Sequence, residues 1–299
     1  MTERVPSQAR RRRSALYVPA INARALAKAA GLPVDVIIVD LEDAIAIDSK
    51  QAAREGSLSA ADRLTGKEVA FRVNALGTQW HVDDMAAAVT AGVQAVVVPK
   101  VESPEDVAEV ARTIASIGGS PDLQIWPMIE SPKAVLAVNA IAIASSRITT
   151  IVIGVNDLVN DLRARHVPGR LPVVPHLAAC VLAARLAEVD ILDGVYNDIT
   201  DGPGFAAECA QGRDFGFSGK TLIHPSQVDA CNAAFSPTYD ELTVAREILD
   251  AWTKAQAQGK GVVTVRGKMV ENLHVADARR VLALDGAIPE LQATQDTSG

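Results

Sequence analysis

The sequence contains few of the residues that mark small secreted proteins or zinc proteins. Its 299 residues include only three cysteines, and aromatic residues make up 4%. Cys180, Cys209 and Cys231 are odd in number and widely separated, which excludes a disulfide framework and the paired spacing of a zinc site. We interpret them as buried thiols. Because the N-terminus also has no apolar signal core, we expect a cytoplasmic protein.

An excess of positive charge and a long apolar run are also missing. The 29 basic and 36 acidic residues give a net charge of −7, which predicts no nucleic-acid partner. No uncharged apolar stretch reaches the roughly 18 residues of a membrane span, so we expect no membrane association. The single basic run, from Arg10 to Arg13, has two interpretations. It is a solvated tail, or its last residue, Arg13, contacts an anionic ligand.

Short apolar runs alternate with alanine-rich helical segments along most of the chain. Eight runs are predicted strands, and most are continuously apolar, which is typical of strands buried on both faces of a parallel sheet. They are Ala15 to Val18, Val36 to Leu41, Val69 to Val73, Ala95 to Pro99, Gln124 to Ile129, Thr150 to Gly154, Ile191 to Tyr196 and Thr221 to Ile223. This count favours an α/β fold, a (β/α)₈ TIM barrel, over the alternative of an open doubly wound sheet.

The segment after the eighth strand predicts a C-terminal helical extension. Thr238 to Gln258 has the pattern of a long amphipathic helix, and His274 to Asp285 that of a last helix. We therefore predict a barrel over residues 12–235, an extension over 236–291, and flexible tails at 1–11 and 292–299. The extension packs on its own barrel or on a neighbouring subunit.

Polar residues recur where the predicted strands end, the edge at which TIM barrels carry their chemistry. Going along the chain, these residues are Asp40, Glu42, Asp43, Arg72, Asn74, Lys100, Glu130, Asp157, Asn197, Asp198 and His224, and Lys220 directly precedes the last predicted strand. Any one of them fits a solvated loop, but their shared position at successive strand ends indicates a site.

Two carboxylates on adjacent strands predict a magnesium site. Glu130 and Asp157, completed by waters and substrate oxygens, suit the hard octahedral Mg²⁺ ion. The alternative for Glu130 is an acid that stabilises a helix N-terminus. Arg72 lies in an otherwise apolar strand and needs an anionic partner. That partner is a substrate carboxylate or enolate oxygen, or a structural carboxylate such as Asp40 or Glu42. Glycine-rich phosphate loops and a GxSxG elbow are absent.

Eight motifs carry a resemblance to a known family. RRSALYVPA, VDVIIVDLEDA, AFRVN, VVVPKVES, WPMIES, IGVNDL, GFSGKTLIHP and RGKMVEN occur in this order, from about Arg12 to Gly286. Together they resemble the citrate lyase β-subunit-like group of the HpcH/HpaI aldolase family, which includes malyl-CoA and citramalyl-CoA lyases. The resemblance implies a Mg²⁺-dependent carbon–carbon lyase or synthase. It would interconvert a 3-hydroxy acyl-CoA thioester with an acyl-CoA and a 2-oxo acid, and form a homotrimer or hexamer.

The same resemblance assigns roles to residues of this chain. It implies that Glu130 and Asp157 hold the metal, that Arg72 and Glu130 contact the 2-oxo acid, and that Asp40, Glu42 and Asp43 lie beside the metal through water. Further substrate contacts are implied for Arg13, Tyr17, Arg24, Lys28, Ile223 and His224, in the regions that meet the CoA nucleotide and acyl chain. A carboxylate from a neighbouring subunit serves as the base. Here the expected aspartate is replaced by Glu271, which is one methylene longer.

Two other functions remain open at this point. A CoA-independent 2-oxo-acid aldolase or decarboxylase would use the same metal and Arg72, but relatives of that kind place a histidine base early in the barrel, and the first histidine here is His81. The other is a barrel that binds a CoA ester without catalysis, because Glu271 replaces the aspartate expected as the base. Within the main hypothesis, a stand-alone CoA enzyme is favoured over a citrate lyase subunit.

Overall fold

Eight parallel strands, hydrogen-bonded in chain order with the last joined to the first, form a closed barrel, so the predicted (β/α)₈ fold is confirmed. The computed structural model describes residues 11–64 and 66–286, apart from the side chains of Ala60 and Ala61. The barrel strands are β1 (Ser14–Pro19), β2 (Val36–Asp40), β3 (Glu68–Arg72), β4 (Ala95–Val98), β5 (Gln124–Ile129), β6 (Thr150–Ile153), β7 (Asp190–Asp193) and β8 (Gly219–Leu222).

Helices connect successive strands and cover the outer face of the barrel. The helices of this unit are α1 (Ala23–Ala30), α2 (Lys50–Ser57), α3 (Ala60–Arg63), α4 (His81–Ala91), α5 (Pro104–Ser116), α6 (Pro132–Ala142), α7 (Val155–Asp161), α8 (Val174–Leu186), α9 (Gly202–Phe215) and α10 (Val228–Phe235). Serine caps start α5 and α6, where Ser103 and Ser131 accept backbone N–H bonds and proline takes the first helical position. The short α7 begins directly after β6, which places Asp157 in its first turn.

Alternate residues of each strand fill the barrel interior. Its apolar layers are built by Ala15, Val36, Ile38, Ala70, Ala95, Val97, Trp126, Met128, Val152 and Leu192, whereas the larger core lies between strands and helices. This two-sided burial explains the continuous apolar runs of the sequence. The interior is thus packed, and functional groups are confined to its ends.

A polar cluster closes the amino-terminal end of the barrel. The guanidinium of Arg12 donates to both carboxylate oxygens of Glu68, at 2.7 and 2.8 Å, and to Asp190 at 2.9 Å. It also lies 5.0 Å from the centre of the Trp126 ring. Of the basic run, Arg12 is therefore a buried structural residue rather than part of a solvated tail, whereas Arg10 lies outside the described residues.

The chain divides into two compact units, and the first spans Arg12–Phe235. The second contains α11 (Tyr239–Gln256), an antiparallel hairpin of β9 (Val263–Val265) and β10 (Lys268–Val270), and α12 (Asn272–Asp285). Leu242 and Ala245 of α11 pack against Ala278 and Leu282 of α12. Of the predicted tails at 1–11 and 292–299, residues 1–10 and 292–299 lie outside the described residues.

No helix within residues 11–64 and 66–286 combines the length and apolarity that a membrane crossing requires.

Candidate active site

Arg72 lies among carboxylates at the carboxyl end of β3. In the β2–β3 register it is paired with Asp40. Its Nε and Nη2 donate to the two oxygens of Asp40 at 2.7 and 2.6 Å. Its Nη1 lies 3.3 Å from Glu42 Oε2 and 3.3 Å from Asp43 Oδ2. Asp40 therefore occupies the planar fork that could have bound a substrate carboxylate, and Nη1 is the atom left for a ligand.

The ring of Tyr17 forms the floor beneath this arginine. The guanidinium carbon of Arg72 lies 4.7 Å from the centre of the ring, within the range of a cation–π contact. Burial raises the pKa of the Tyr17 hydroxyl above its ordinary value, although the charge of Arg72 opposes that shift. Tyr17 is thus a neutral, partly buried contact for Arg72 at neutral pH.

The loop after β2 is held in place by a buried lysine that the sequence did not single out. Lys50 Nζ donates to the carbonyl oxygens of Leu41 and Glu42 at 2.9 and 2.7 Å, and to Asn74 Oδ1 at 2.8 Å. Asp40 in turn accepts from the backbone N–H of Glu42 at 2.9 Å. One feature of the sequence could have identified Lys50. It is a positive charge at the first residue of a helix, where the macrodipole disfavours it.

Glu130 and Asp157 follow two adjacent strands. Glu130 comes directly after β5, and Asp157 lies in the first turn of α7, which begins after β6. Glu130 is 5% exposed and accepts the backbone N–H of Lys100 at Oε1, at 2.7 Å. Burial raises the pKa of Glu130 to about 7, with Asp157 adding to the shift and Arg72 opposing it. Asp157 is exposed at the barrel mouth.

Gly154 leaves the space that Glu130 occupies. A Cβ at this position would overlap Oε2 and Cβ of Glu130. A glycine at the end of β6 is therefore a steric requirement of the site, since its φ of −93° suits any residue. Apart from the glycine itself, no feature of the sequence indicates this role.

The mouth carries more negative charge than its cations balance. Burial raises the pKa of Glu42 to about 8, with Asp43, Glu130 and Asp40 adding to the shift and Arg72 opposing it. Such unbalanced carboxylates fit a bound cation. Among the described residues, no three His, Cys, Asp or Glu side chains form a ready metal cluster. Two carboxylates with waters and substrate oxygens are nevertheless a common shell for Mg²⁺.

Four other predicted contacts lie in the segments that follow β8 and β1. Ile223 and His224 follow β8 and are exposed, with His224 Nδ1 2.7 Å from Ser226 Oγ. Arg24 and Lys28 are exposed and lie one turn apart on α1, which follows β1. The structure thus places Ile223, His224 and Arg24 just beyond the carboxyl ends of the neighbouring strands β8 and β1, whereas Lys28 lies in the last turn of α1.

Three predicted residues are not part of this group. Arg13 precedes β1 at the opposite end of the barrel, where its guanidinium donates to both oxygens of Asp35 at 2.7 and 2.8 Å. Lys220 lies within β8 rather than before it, and its fully buried ammonium contacts Asp193 and Glu208 on the outer side of the barrel wall. Glu271 is the N-cap residue of α12 in the second unit, and its backbone N–H donates to His274 Nδ1 at 3.2 Å.

A barrel with an arginine and two carboxylates at its mouth agrees with the family suggested by the motifs. Residues 13–225 match the HpcH/HpaI aldolase/citrate lyase family, and the chain belongs to that family. The class is therefore that of an enzyme family whose description covers aldolases and citrate lyases.

Particular relatives refine this assignment. The chain is 43% identical to a (3S)-malyl-CoA thioesterase of Cereibacter sphaeroides, over 94% of this chain and 97% of the relative. It is 34% identical to the citrate lyase subunit beta of Escherichia coli, over 92% and 93% of the two chains. A solved structure of CitE from Mycobacterium tuberculosis, in complex with magnesium, acetoacetate and coenzyme A, matches with a TM-score of 0.75 and 28% identity, covering 91% of this chain and 97% of that one.

Proposed function

We propose that the chain is a Mg²⁺-dependent carbon–carbon lyase or synthase that interconverts a 3-hydroxy acyl-CoA thioester with an acyl-CoA and a 2-oxo acid. The observation that carries the proposal is the arrangement at the barrel mouth. There, a buried Glu130 and the nearby Asp157 share a site with an arginine whose orientation Asp40 fixes. The CitE complexes with magnesium and small acids support the same assignment.

Glu130 and Asp157 are the residues that would hold the metal in this proposal. The N–H of Lys100 and the space over Gly154 position Glu130. The carboxylate therefore does not rotate, and its Oε2 stays available for the metal. When bound, Mg²⁺ polarises the carbonyl of the 2-oxo acid and orients its carboxylate. Waters would complete the shell of the ion, and Asp40, Glu42 and Asp43 would hold some of them.

Arg72 supplies the fixed positive charge for the oxygen on which negative charge develops. Its fork is bound to Asp40, so the side chain does not reorganise when the ligand arrives, and Nη1 donates to the substrate oxygen in place of Glu42 or Asp43. Such preorganised donors are the main source of stabilisation for enolates and alkoxides. The packing of Tyr17 against the guanidinium keeps water from one of its faces.

In the synthetic direction the carbon–carbon bond forms in two steps. Glu271 of a neighbouring copy takes a proton from the α-carbon of the acyl-CoA and leaves its enolate. The enolate carbon adds to the carbonyl carbon of the 2-oxo acid. The resulting alkoxide takes a proton from solvent to give the 3-hydroxy thioester, and Glu271 returns its proton to solvent. Cleavage is the reverse sequence. Arg24 and Lys28 bind the CoA phosphates, and Ile223 and His224 line the acyl channel.

Hydrolysis of the same thioester is the second candidate function. It is favoured by the 43% identity to proteins named (3S)-malyl-CoA thioesterase. In that reaction water adds to the thioester carbonyl and the carbon–sulfur bond breaks, which releases CoA thiol and the hydroxy acid. The ligand and the metal site would be shared, and only the bond that breaks differs.

The products distinguish the two reactions. Purified protein is incubated separately with malyl-CoA, citramalyl-CoA and citryl-CoA in the presence of Mg²⁺. Free thiol and free 2-oxo acid are then measured in parallel samples. Lyase action gives one 2-oxo acid per thioester consumed and no free thiol, whereas hydrolysis gives one thiol and no 2-oxo acid. Absence of both products from all three thioesters would refute the proposed function.

A further inference from the structure

The backbone and side chain of Lys100, in the loop after β4, point to a role in the site that none of the assignments above includes. We propose that its ammonium binds the carboxylate of the 2-oxo acid beside Glu130. Lys100 is therefore inferred to be a substrate-binding residue. This inference rests on the proposed function, because it takes the 2-oxo acid as the ligand.

The first observation is the backbone conformation of Lys100. Its φ is +54°, in the left-handed region that costs free energy for every residue except glycine. The conformation has a use, since the N–H of Lys100 donates to Glu130 Oε1 at 2.7 Å. A glycine would give the same backbone without strain, so the strain is explained only if the side chain itself is needed.

The other non-glycine residues with a positive φ show which roles accompany this backbone strain. Among the described residues they are Arg163, Arg170, Glu188 and Arg266. Arg163 and Glu188 lie one residue beyond the C-caps of α7 and α8, a common left-handed helix termination. Arg170 and Arg266 use their guanidinium groups in ion pairs, with Asp193 and with Glu247.

Lys100 fits neither group. It lies between β4 and α5, at no helix end, and its side chain is exposed. No carboxylate of the described residues forms an ion pair with its ammonium, although Glu130 hydrogen-bonds its backbone. An exposed cation on a strained backbone, next to a carboxylate of the site, is therefore positioned for a ligand rather than for the fold.

The chemistry of the mouth indicates which ligand. Its carboxylates repel an anion, and the fork of Arg72 is already bound to Asp40. A 2-oxo acid therefore needs a further cation beyond the metal and Nη1 of Arg72. Lys100 provides such a cation. Because its backbone N–H is bound to Glu130, its flexible side chain can reach a carboxylate bound beside Glu130.

Calorimetry tests the inference. It measures the binding of glyoxylate, pyruvate and oxaloacetate in the presence of Mg²⁺. Lys100→Gly removes the ammonium and keeps the N–H that binds Glu130. We expect a dissociation constant for the acid about tenfold higher or more. The Mg²⁺ affinity should stay within about twofold, and the melting temperature should equal or exceed that of the wild type. Lys100→Arg should retain most of the binding.

Two comparisons separate this role from others. Arg163→Gly changes a residue of the same charge, with a φ of +54°, at a helix end, and should leave acid binding unchanged. Acetyl-CoA affinity should also be unchanged in Lys100→Gly. Acid binding within twofold of wild type, or a loss confined to acetyl-CoA, would overturn the inference while leaving the proposed function intact. A wild-type protein that binds none of the three acids would overturn both.

Discussion

Replacing Gly154 by alanine perturbs the proposed metal site through a single methyl group. The added Cβ would overlap Oε2 and Cβ of Glu130 and lie 3.1 Å from its Cδ, where ordinary contacts measure 3.4–4 Å. The Glu130 side chain cannot swing away, because it is buried and its Oε1 is bound to the N–H of Lys100. In a close-packed interior the overlap is relieved only by a shift on the order of 1 Å.

Such a shift is large for a metal ligand. A misplacement of ~1 Å can lower the rate about 100-fold, and overpacking of this kind costs about 1–3 kcal/mol of stability. We therefore expect Gly154→Ala to fold, to bind Mg²⁺ more weakly, and to lose about two orders of magnitude in turnover of its CoA thioester. The assays are calorimetric Mg²⁺ titration and initial rates.

A matched control is available in the same barrel. Gly202, at the start of α9, has no atom within 4 Å of an added Cβ, so Gly202→Ala should retain Mg²⁺ affinity and turnover. If Gly154→Ala kept the wild-type Mg²⁺ affinity and rate, the reasoning about the Glu130 position would be wrong.

Three further predictions concern the acidic loop and Arg72. Arg72→Lys keeps the charge but loses the fork held by Asp40, so turnover should fall at least tenfold; a full rate with a lower melting temperature would make Arg72 purely structural. Burial raises the pKa of Glu42 to about 8, so its contribution to stability is complete below about pH 4.5 and is lost as the pH rises through 8. Urea unfolding should therefore show a larger loss of stability from pH 5 to pH 8 in the wild type than in Glu42→Gln; equal losses would contradict the shift. Lys50→Met leaves two loop carbonyls without their donor, so the free energy of unfolding should drop by about 3 kcal/mol, whereas a change under about 0.5 kcal/mol would exclude Lys50 as the support of this loop.

The sequence was sufficient to predict the barrel and the edge that carries its polar groups. Continuous apolar runs identify strands buried on both faces, and the residues that follow such runs in a parallel barrel meet at one end. Asp40, Arg72 and Glu130 were found in this way. The same pattern placed Lys220 directly before the eighth strand, whereas it lies within β8, because a strand that begins with a glycine and this lysine has no apolar residue to mark its start. Its pairing with Asp193 is set by the β7–β8 register.

Other features depend on contacts between residues distant in the chain. The short helices α2, α3, α7 and α10 were not predicted, and α7 follows β6 after a single residue, Gly154. The apolar pattern of α2 is interrupted by charged residues. The ion pairs of Arg12 with Glu68 and of Arg13 with Asp35 join segments that only the closed barrel brings together. Asp40 was among the partners expected for Arg72, and the β2–β3 register decides that it is the carboxylate that binds the fork.

The central claim is that Glu130 and Asp157 hold a metal on which the carbon–carbon chemistry depends. The most direct measurement is 2-oxo acid formation from malyl-CoA and citramalyl-CoA after removal of metal by a chelator and again after addition of Mg²⁺. The wild type should lose its activity and regain it with Mg²⁺, as should the control Glu102→Gln, whose carboxylate contacts Ser131 and Lys133 instead. Glu130→Gln and Asp157→Asn should not regain it. Full activity of the chelated wild type, or recovery by Glu130→Gln at wild-type Mg²⁺ concentrations, would contradict the account.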